Sequence, residues 1–291
     1  MTNGSVVTDK RLKSFLNSEF LGTNNVPVYG LIGYGTSTPS TGNSELDNQI
    51  AVQDTESVDD CDAITGWTAG TDSVVSQNTT TFKEGTASLN VYKTGTTGTS
   101  FSASKTVTSL DFTSKDALQW IYVKALADLV TTGTAATIKY GSDSSNYYYL
   151  DVDISSLTAG WNPISFNSSN ITGTTGSPVI ASMDYYEIEF NTDLASDTIT
   201  EGDIAIDDIR LASSGDYLAT FQSTYPSVDE SALKATERWK IGSTGANGYD
   251  ITEQGVKDAA GNLKSRAVYQ AITKTNTKLI TFVNITKIRN K

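Results

Sequence analysis

Histidine is absent from the 291 residues, and Cys61 is the single cysteine. The first absence removes Ser-His-Asp and Cys-His catalysis together with every His-containing zinc site. The second removes intrachain disulfides and multi-cysteine metal clusters. Cys61 lies in Asp59-Asp60-Cys61-Asp62, where neighbouring negative charge opposes thiolate formation. It reads as a small, partly buried residue, not a nucleophile. Apolar runs of the ~18 residues that a membrane span requires are also lacking. Met1 to Ser18 is polar and carries Lys10, Arg11 and Lys13, unlike an export signal. The expectation is a chain that assembles in the cytoplasm without membrane insertion.

Hydrophobic residues make up 37% of the chain, below the ~45–50% usual on a count that includes Gly. Ser, Thr and Gly fill the difference, alongside 14 Tyr and 4 Trp. That balance suits thin β-structures with wet surfaces and many turns. The formal charge of −12 is unevenly spread. Residues 57–212 hold 20 Asp/Glu and 7 Lys/Arg, giving −13; the remainder holds 13 and 14, giving +1. The last 35 residues carry eight Lys/Arg and Asp258 as their one acid. Gly33-Tyr-Gly-Thr-Ser-Thr-Pro-Ser-Thr-Gly-Asn43 and Ser213-Ser214-Gly215-Asp216 punctuate the two shifts. Three segments follow: residues 1–56 as an N-terminal arm and first part of an anchoring domain, 57–212 as an acidic insert, and 213–291 as the second part of the anchor. So negative an insert argues against nucleic acid as a partner.

Asp9 to Phe20 carries Leu12, Phe15, Leu16 and Phe20 on one helical face, with Asp9 placed to cap it. Ser44 to Val52 is a second helix candidate. Within the insert, nine runs rich in Val, Ile, Thr, Tyr and Phe are separated by turn residues: 73–76, 87–92, 101–107, 118–123, 136–140, 147–152, 162–166, 185–190 and 204–211. Tyr186-Glu187-Ile188-Glu189-Phe190 alternates, acids toward water and apolar residues toward a core. Such a set predicts two packed antiparallel sheets. After residue 216, strands are expected at 217–221, 238–241, 256–257, 265–269 and 278–288, with Asp258-Ala-Ala-Gly261 as a hairpin turn. The fold class predicted is mainly β: an antiparallel jelly-roll sandwich inserted into a small β-rich anchoring domain, with a short N-terminal helix.

Three motifs occur in order in the insert: Asp62-Ala-Ile-Thr-Gly-Trp67, Lys83-Glu84-Gly85-Thr86-Ala87-Ser88-Leu89, and Ile206-Asp207-Asp208-Ile209-Arg210-Leu211. Together they resemble the jelly-roll carbohydrate-binding modules and their viral and extracellular relatives. The resemblance implies a structural Ca2+ where the two chain ends of the sandwich meet, with Asp60, Asp62, Glu84, Asp207 and Asp208 as candidate ligands; the alternative is that these acids face solvent or cap turns. It also implies glycan binding on exposed aromatic platforms. Alternation assigns Tyr148 and Tyr185 to the surface, and Trp67, Trp120 and Trp161 to the core.

The flanks resemble the tail-fibre and appendage proteins of tailed viruses. The residues that carry this are Tyr34-Gly-Thr-Ser-Thr-Pro-Ser-Thr-Gly-Asn-Ser-Glu-Leu-Asp-Asn-Gln-Ile50, Ala246-Asn-Gly-Tyr-Asp-Ile-Thr-Glu-Gln-Gly-Val-Lys-Asp-Ala-Ala-Gly-Asn-Leu-Lys-Ser-Arg266 and Ile272-Thr-Lys-Thr275. Val256-Lys257 departs from the pair of apolar residues in that pattern. The resemblance implies a virion location and a non-enzymatic role as tail fibre, baseplate spike or capsid turret. It further implies a homo-oligomer (trimer or pentamer) that contacts other virion proteins through residues 1–56 and 213–291, with a host cell-surface glycan as the target. Alternatives are a cellular carbohydrate-binding protein and a purely structural capsid decoration. The acid pairs Asp151/Asp153 and Glu187/Glu189 could in principle serve glycosidase chemistry, but alternation on a strand already explains both.

Overall fold

The structure, a computed structural model, describes residues 19–21, 26–40, 42–53, 55–243, 245–275 and 277–287. It divides into two compact units, one of Thr55–Ser213 and one formed by the segments on either side. The first segment contributes β1 (Pro27–Gly33) and β2 (Gln49–Ile50).

The Thr55–Ser213 unit is an antiparallel β-sandwich of the jelly-roll kind. Its strands are β3 (Glu56–Asp59), β4 (Trp67–Ala69), β5 (Ser73–Asn78), β6 (Ser88–Lys93), β7 (Ser100–Leu110), β8 (Lys115–Val123), β9 (Thr134–Asp143), β10 (Asn146–Asp153), β11 (Gly160–Phe166), β12 (Gly173–Thr175), β13 (Met183–Asn191) and β14 (Ile204–Ser213). One sheet runs β12-β10-β9-β13-β7-β4; the other runs β11-β8-β14-β6-β5, with β3 also paired to β14. All nine runs expected from the sequence fall on strands, mostly extended at their ends by ladder pairing; the run expected at 87–92 begins at Ser88, leaving Ala87 outside it. Period-2 burial sorts them: Tyr186, Ile188 and Phe190 are fully buried, whereas Glu187 and Glu189 reach solvent. These inward positions join Phe101, Ile138, Tyr140, Ile206 and Leu211 in one core. Tyr140 sits at its centre, its ring 5.0 Å from those of Phe166 and Tyr186.

Most buried polar groups in this unit are matched, with Trp67 Nε1, Gln119 Nε2 and Asp207 Oδ1 as exceptions. The Lys93 ammonium, which is fully buried, donates to three carbonyls: Gly95 at 2.8 Å, Ala195 at 2.7 Å and Asp197 at 2.8 Å. An internal cation thereby ties the residue 193–197 loop to the end of β6.

The flanking unit continues with β15 (Ala219–Thr220), β16 (Ser227–Asp229), β17 (Lys234–Ile241), β18 (Asp250–Asp258), β19 (Leu263–Thr273) and β20 (Ile280–Lys287). Its sheets run β15-β1-β18-β19, with β2 on β1, and β16-β17-β20. Trp239 fills the centre, stacked between Phe221 and Phe282 at 5.6 and 5.4 Å. The indole lies against Gly30, where any Cβ would collide with it. Between β18 and β19, Gly261 (φ +86°) closes the expected hairpin turn, and Asp258 Oδ1 accepts from the N–H groups of Ala260 and Asn262. Val256 is fully buried even though Lys257 follows it, because the lysine points the other way, to Glu45.

Two helix expectations resolve differently. Residues 19–21 are helical, with Phe20 packed on Ala235, while the rest of the Asp9–Phe20 candidate lies outside the described residues. Ser44–Val52 is not a helix: Gln49–Ile50 is a strand, and Asn48 donates its N–H to Glu253 at 3.1 Å. A nine-residue segment has little intrinsic helicity to set against such tertiary bonds.

Candidate functional site

The solvent face of the six-stranded sheet containing β9, β10 and β13 gathers three of the unit's tyrosines, Tyr147, Tyr149 and Tyr185. Register places Tyr147, Gly141, Tyr185 and Thr106 in one row across β10, β9, β13 and β7. The next row is Gly173, Tyr149, Lys139, Glu187 and Ser104, and a third holds Asp151, Thr137, Glu189 and Ser102. Each row alternates with a buried one, so the arrangement follows from strand pairing alone.

Tyr147 and Tyr149 are half-buried, their rings 6.3 Å apart and inclined at 66°. Gly141 is buried between Tyr147 and Tyr185, where a Cβ would collide with the Asn146 carbonyl. Gly173 lies beneath Tyr149, whose ring would meet a Cβ there at 2.6–2.9 Å. The Lys139 ammonium lies 5.5 Å from the Tyr147 ring centre and bridges Glu187 (3.2 Å) and Glu189 (3.0 Å). Its pKa is raised by those two carboxylates despite an opposing contribution from burial. Thr137 donates to Asp151 at 2.8 Å. The Tyr185 hydroxyl donates to Glu187, and burial followed by that bond pushes the phenol pKa up. The face therefore offers half-buried phenol rings beside a fixed strip of carboxylates, one ammonium and hydroxyls. That is the combination a sugar needs: apolar C–H faces stack on rings while hydroxyls bond to charged acceptors and donors.

Tyr185 stands on this face as expected. Tyr148 does not: it pairs with buried Tyr140 and packs on the core, so the surface residues of the Tyr147–Tyr149 run are its two neighbours. The signal was present in Leu150 and Val152, which share the parity of Tyr148, and in Asp151, which shares that of Tyr147 and Tyr149. Trp67 is in the core. Trp120 is buried on the outer side of β8, with the Lys83 ammonium 4.3 Å from its ring centre. Trp161 is a correction: it projects from edge strand β11 and contacts Tyr122, outside the core.

The calcium candidates are drawn toward one turn, largely as acceptors of backbone N–H groups. Asp62 Oδ1 accepts from Thr86 and Ala87, both at 2.7 Å. Asp207 Oδ2 accepts from Lys83 at 2.6 Å and Glu84 at 3.1 Å. Asp60 Oδ1 accepts from the Asp62 N–H at 3.3 Å, and Asp208 pairs with Arg210. Among the described residues, no group of three or more acidic or Cys side chains converges as a metal-ligand set. What fits a cation is narrower. Asp207 Oδ1 is buried with no hydrogen-bond partner, and burial raises the Asp207 pKa to about 7. A hard cation would supply the partner that this oxygen lacks. Cys61, fully buried nearby, has its thiol pKa pushed well up by burial and by Asp59 and Asp207.

The chain is similar to several solved structures. One is the family 11 carbohydrate-binding module from Clostridium thermocellum in complex with a β-1,3-1,4-mixed-linked tetrasaccharide: 12% identity and TM-score 0.40, over 55% of this chain and 96% of that one. Another is the C-terminal family 22 carbohydrate-binding module of Clostridium thermocellum Xyn10B: 15% identity and TM-score 0.33, over 57% and 98%. An exo-β-agarase aligns at 10% identity and TM-score 0.41, over 56% of this chain and 26% of the enzyme. No family model matches the sequence, and no curated protein matches it. The jelly-roll assignment rests on the strand order and register above.

Proposed function

We propose that the Thr55–Ser213 unit is a non-catalytic glycan-binding module, carried by the flanking unit on a virus particle that uses it for host attachment. The observation that carries the glycan reading is the face formed by Tyr147, Tyr149 and Tyr185 around Gly141, backed by Lys139, Glu187 and Glu189. Both glutamates share one lysine, which favours a binding role for them over acid–base work. The virion reading rests on the ordered flanking motifs, and weak single contacts multiplied by copies on a particle would give avidity. Homo-oligomerisation and contacts with other virion proteins through residues 1–56 and 213–291 belong to the same reading. So does a structural Ca2+ at Asp207, supported by its orphan oxygen.

The test is binding of the full chain to arrayed neutral and acidic host-surface glycans and soluble plant and algal polysaccharides. The Tyr147→Ala/Tyr149→Ala double variant should lose the binding contributed by this face, seen as a fall in affinity and in sites per chain, at unchanged melting temperature. The parent's full affinity and number of sites retained in that variant, or no binding by the parent chain, refutes the reading.

A further inference from the structure

The opposite sheet of the same unit carries a second aromatic pair that the core does not use. Trp161 on β11 and Tyr122 on β8 are register partners on the outer side, with ring centres 5.3 Å apart at 54°. Neither belongs to the packed core, to which Ile121 and Val123 turn instead. β11 is the edge strand, so nothing in this sheet lies beyond Trp161.

The mounting of Trp161 is rigid. Asn162 is buried and fastens the turn before it: its Oδ1 accepts from the Thr158 N–H at 2.8 Å, and its Nδ2 donates to the carbonyls of Thr158 (2.8 Å) and Gly160 (2.9 Å). Polar groups stand beside the pair. Lys124 pairs with Asp203 at 2.6 Å, and Asp128 and the Tyr122 phenol both lie within electrostatic reach of that ammonium. Two half-buried rings near a lysine paired with an acid resemble the chemistry of the Tyr147–Lys139–Glu187 face, although Lys124 is more exposed than Lys139 and has one ion-pair partner in place of two. A ring exposed to water loses the favourable burial of its apolar surface, and a pre-organised ring beside fixed polar groups recovers it when a sugar stacks there.

We infer that Trp161 and Tyr122, with Lys124, Asp128 and Asp203, form a second saccharide-binding platform, so that one jelly roll holds two glycan chains on opposite faces. The ligand class, a hydroxyl-rich pyranose chain, rests on the reading of the first face; the site itself does not. A single unit would then cross-link polysaccharide without oligomerising.

Tryptophan fluorescence separates the two platforms, because the first contains only tyrosines. Trp67, Trp120 and Trp239 are 8%, 4% and 0% exposed, so acrylamide reaches Trp161 selectively. With a polysaccharide from the panel above bound to the full chain, Trp161 should lose acrylamide access, including in the Tyr147→Ala/Tyr149→Ala variant. Titration should give two sites per chain, falling to one in Trp161→Ala and recovering in Trp161→Phe. Loss of one platform should weaken retention on immobilised polysaccharide by about 100-fold. One site per chain with Trp161 quenched as before overturns this inference and leaves the first face standing. No binding to any panel member overturns both.

Discussion

Glu253 and Arg266 face each other across the β18–β19 hairpin, joined by Nη2–Oε2 at 2.8 Å and Nε–Oε2 at 2.9 Å, with side chains 0% and 2% exposed. The free oxygen of Glu253 accepts from the N–H groups of Gly35 and Asn48, both at 3.1 Å. Arg266 reaches on to Asp47 at 2.6 Å and to the Ser37 and Asn43 side chains. One buried ion pair thus pins both ends of the 34–48 loop, whose described residues make no sheet pairing of their own. Replacing Glu253 by Gln leaves the guanidinium short of a charge partner and should cost about 3–5 kcal/mol. Denaturant unfolding should show the loss, and limited proteolysis should cut within 35–48 in Glu253→Gln but not in the parent.

That network shows what was legible in the sequence. Both residues lie in the stretch from Ala246 to Arg266 that resembles virus appendage proteins, yet no local pattern reveals that they bond to residues more than 200 positions earlier. The helix expected at Ser44–Val52 fails to form for the same reason, since capping and spacing are local while Glu253 is not. Strands were legible wherever apolar and polar residues alternate, as in Tyr186–Phe190. They were ambiguous where three tyrosines follow one another, and there Leu150 and Val152 had to set the phase. At β11 the phase was hidden by Asn162, a polar residue on the inner side that is satisfied by turn carbonyls.

Gly141 is the hinge of the proposed glycan face. A Cβ at this position would collide with the Asn146 carbonyl and the Tyr147 Cβ. Gly141→Ala should therefore push β10 away from β9 and cost about 1–3 kcal/mol. It should also move Tyr147, so affinity for whichever glycan the parent binds should fall further than stability alone explains, as measured below the melting transition.

Lys93 offers a control independent of binding. Its ammonium satisfies three carbonyls in a fully buried position. Lys93→Met keeps the stem and removes the charge, stranding those oxygens at a cost of at least about 3 kcal/mol. Thermal unfolding should register the change. An unaltered melting temperature would show that water replaces the ammonium without penalty.

Asp207 ties pH to the cation question. Its pKa is raised to about 7, first by burial and then against the help of the Lys83 and Glu84 N–H groups, with Asp208 adding repulsion. A carboxyl raised on folding binds its proton more tightly in the folded state than in the unfolded one. Its contribution is therefore most favourable below the unfolded value near 3.8, and is lost as pH rises through the window up to about 7. Across that window metal-free protein should lose roughly 1.4 kcal/mol per pH unit from this group. Asp207→Asn should flatten the slope and stabilise the metal-free chain at pH 8. Millimolar Ca2+ should raise the melting temperature of the parent at pH 8 and leave Asp207→Asn unmoved, because the cation neutralises the same oxygen that the proton does. A parent chain whose melting temperature ignores both chelator and Ca2+ at pH 8 would remove the metal and leave Asp207 as a buried, proton-binding acid.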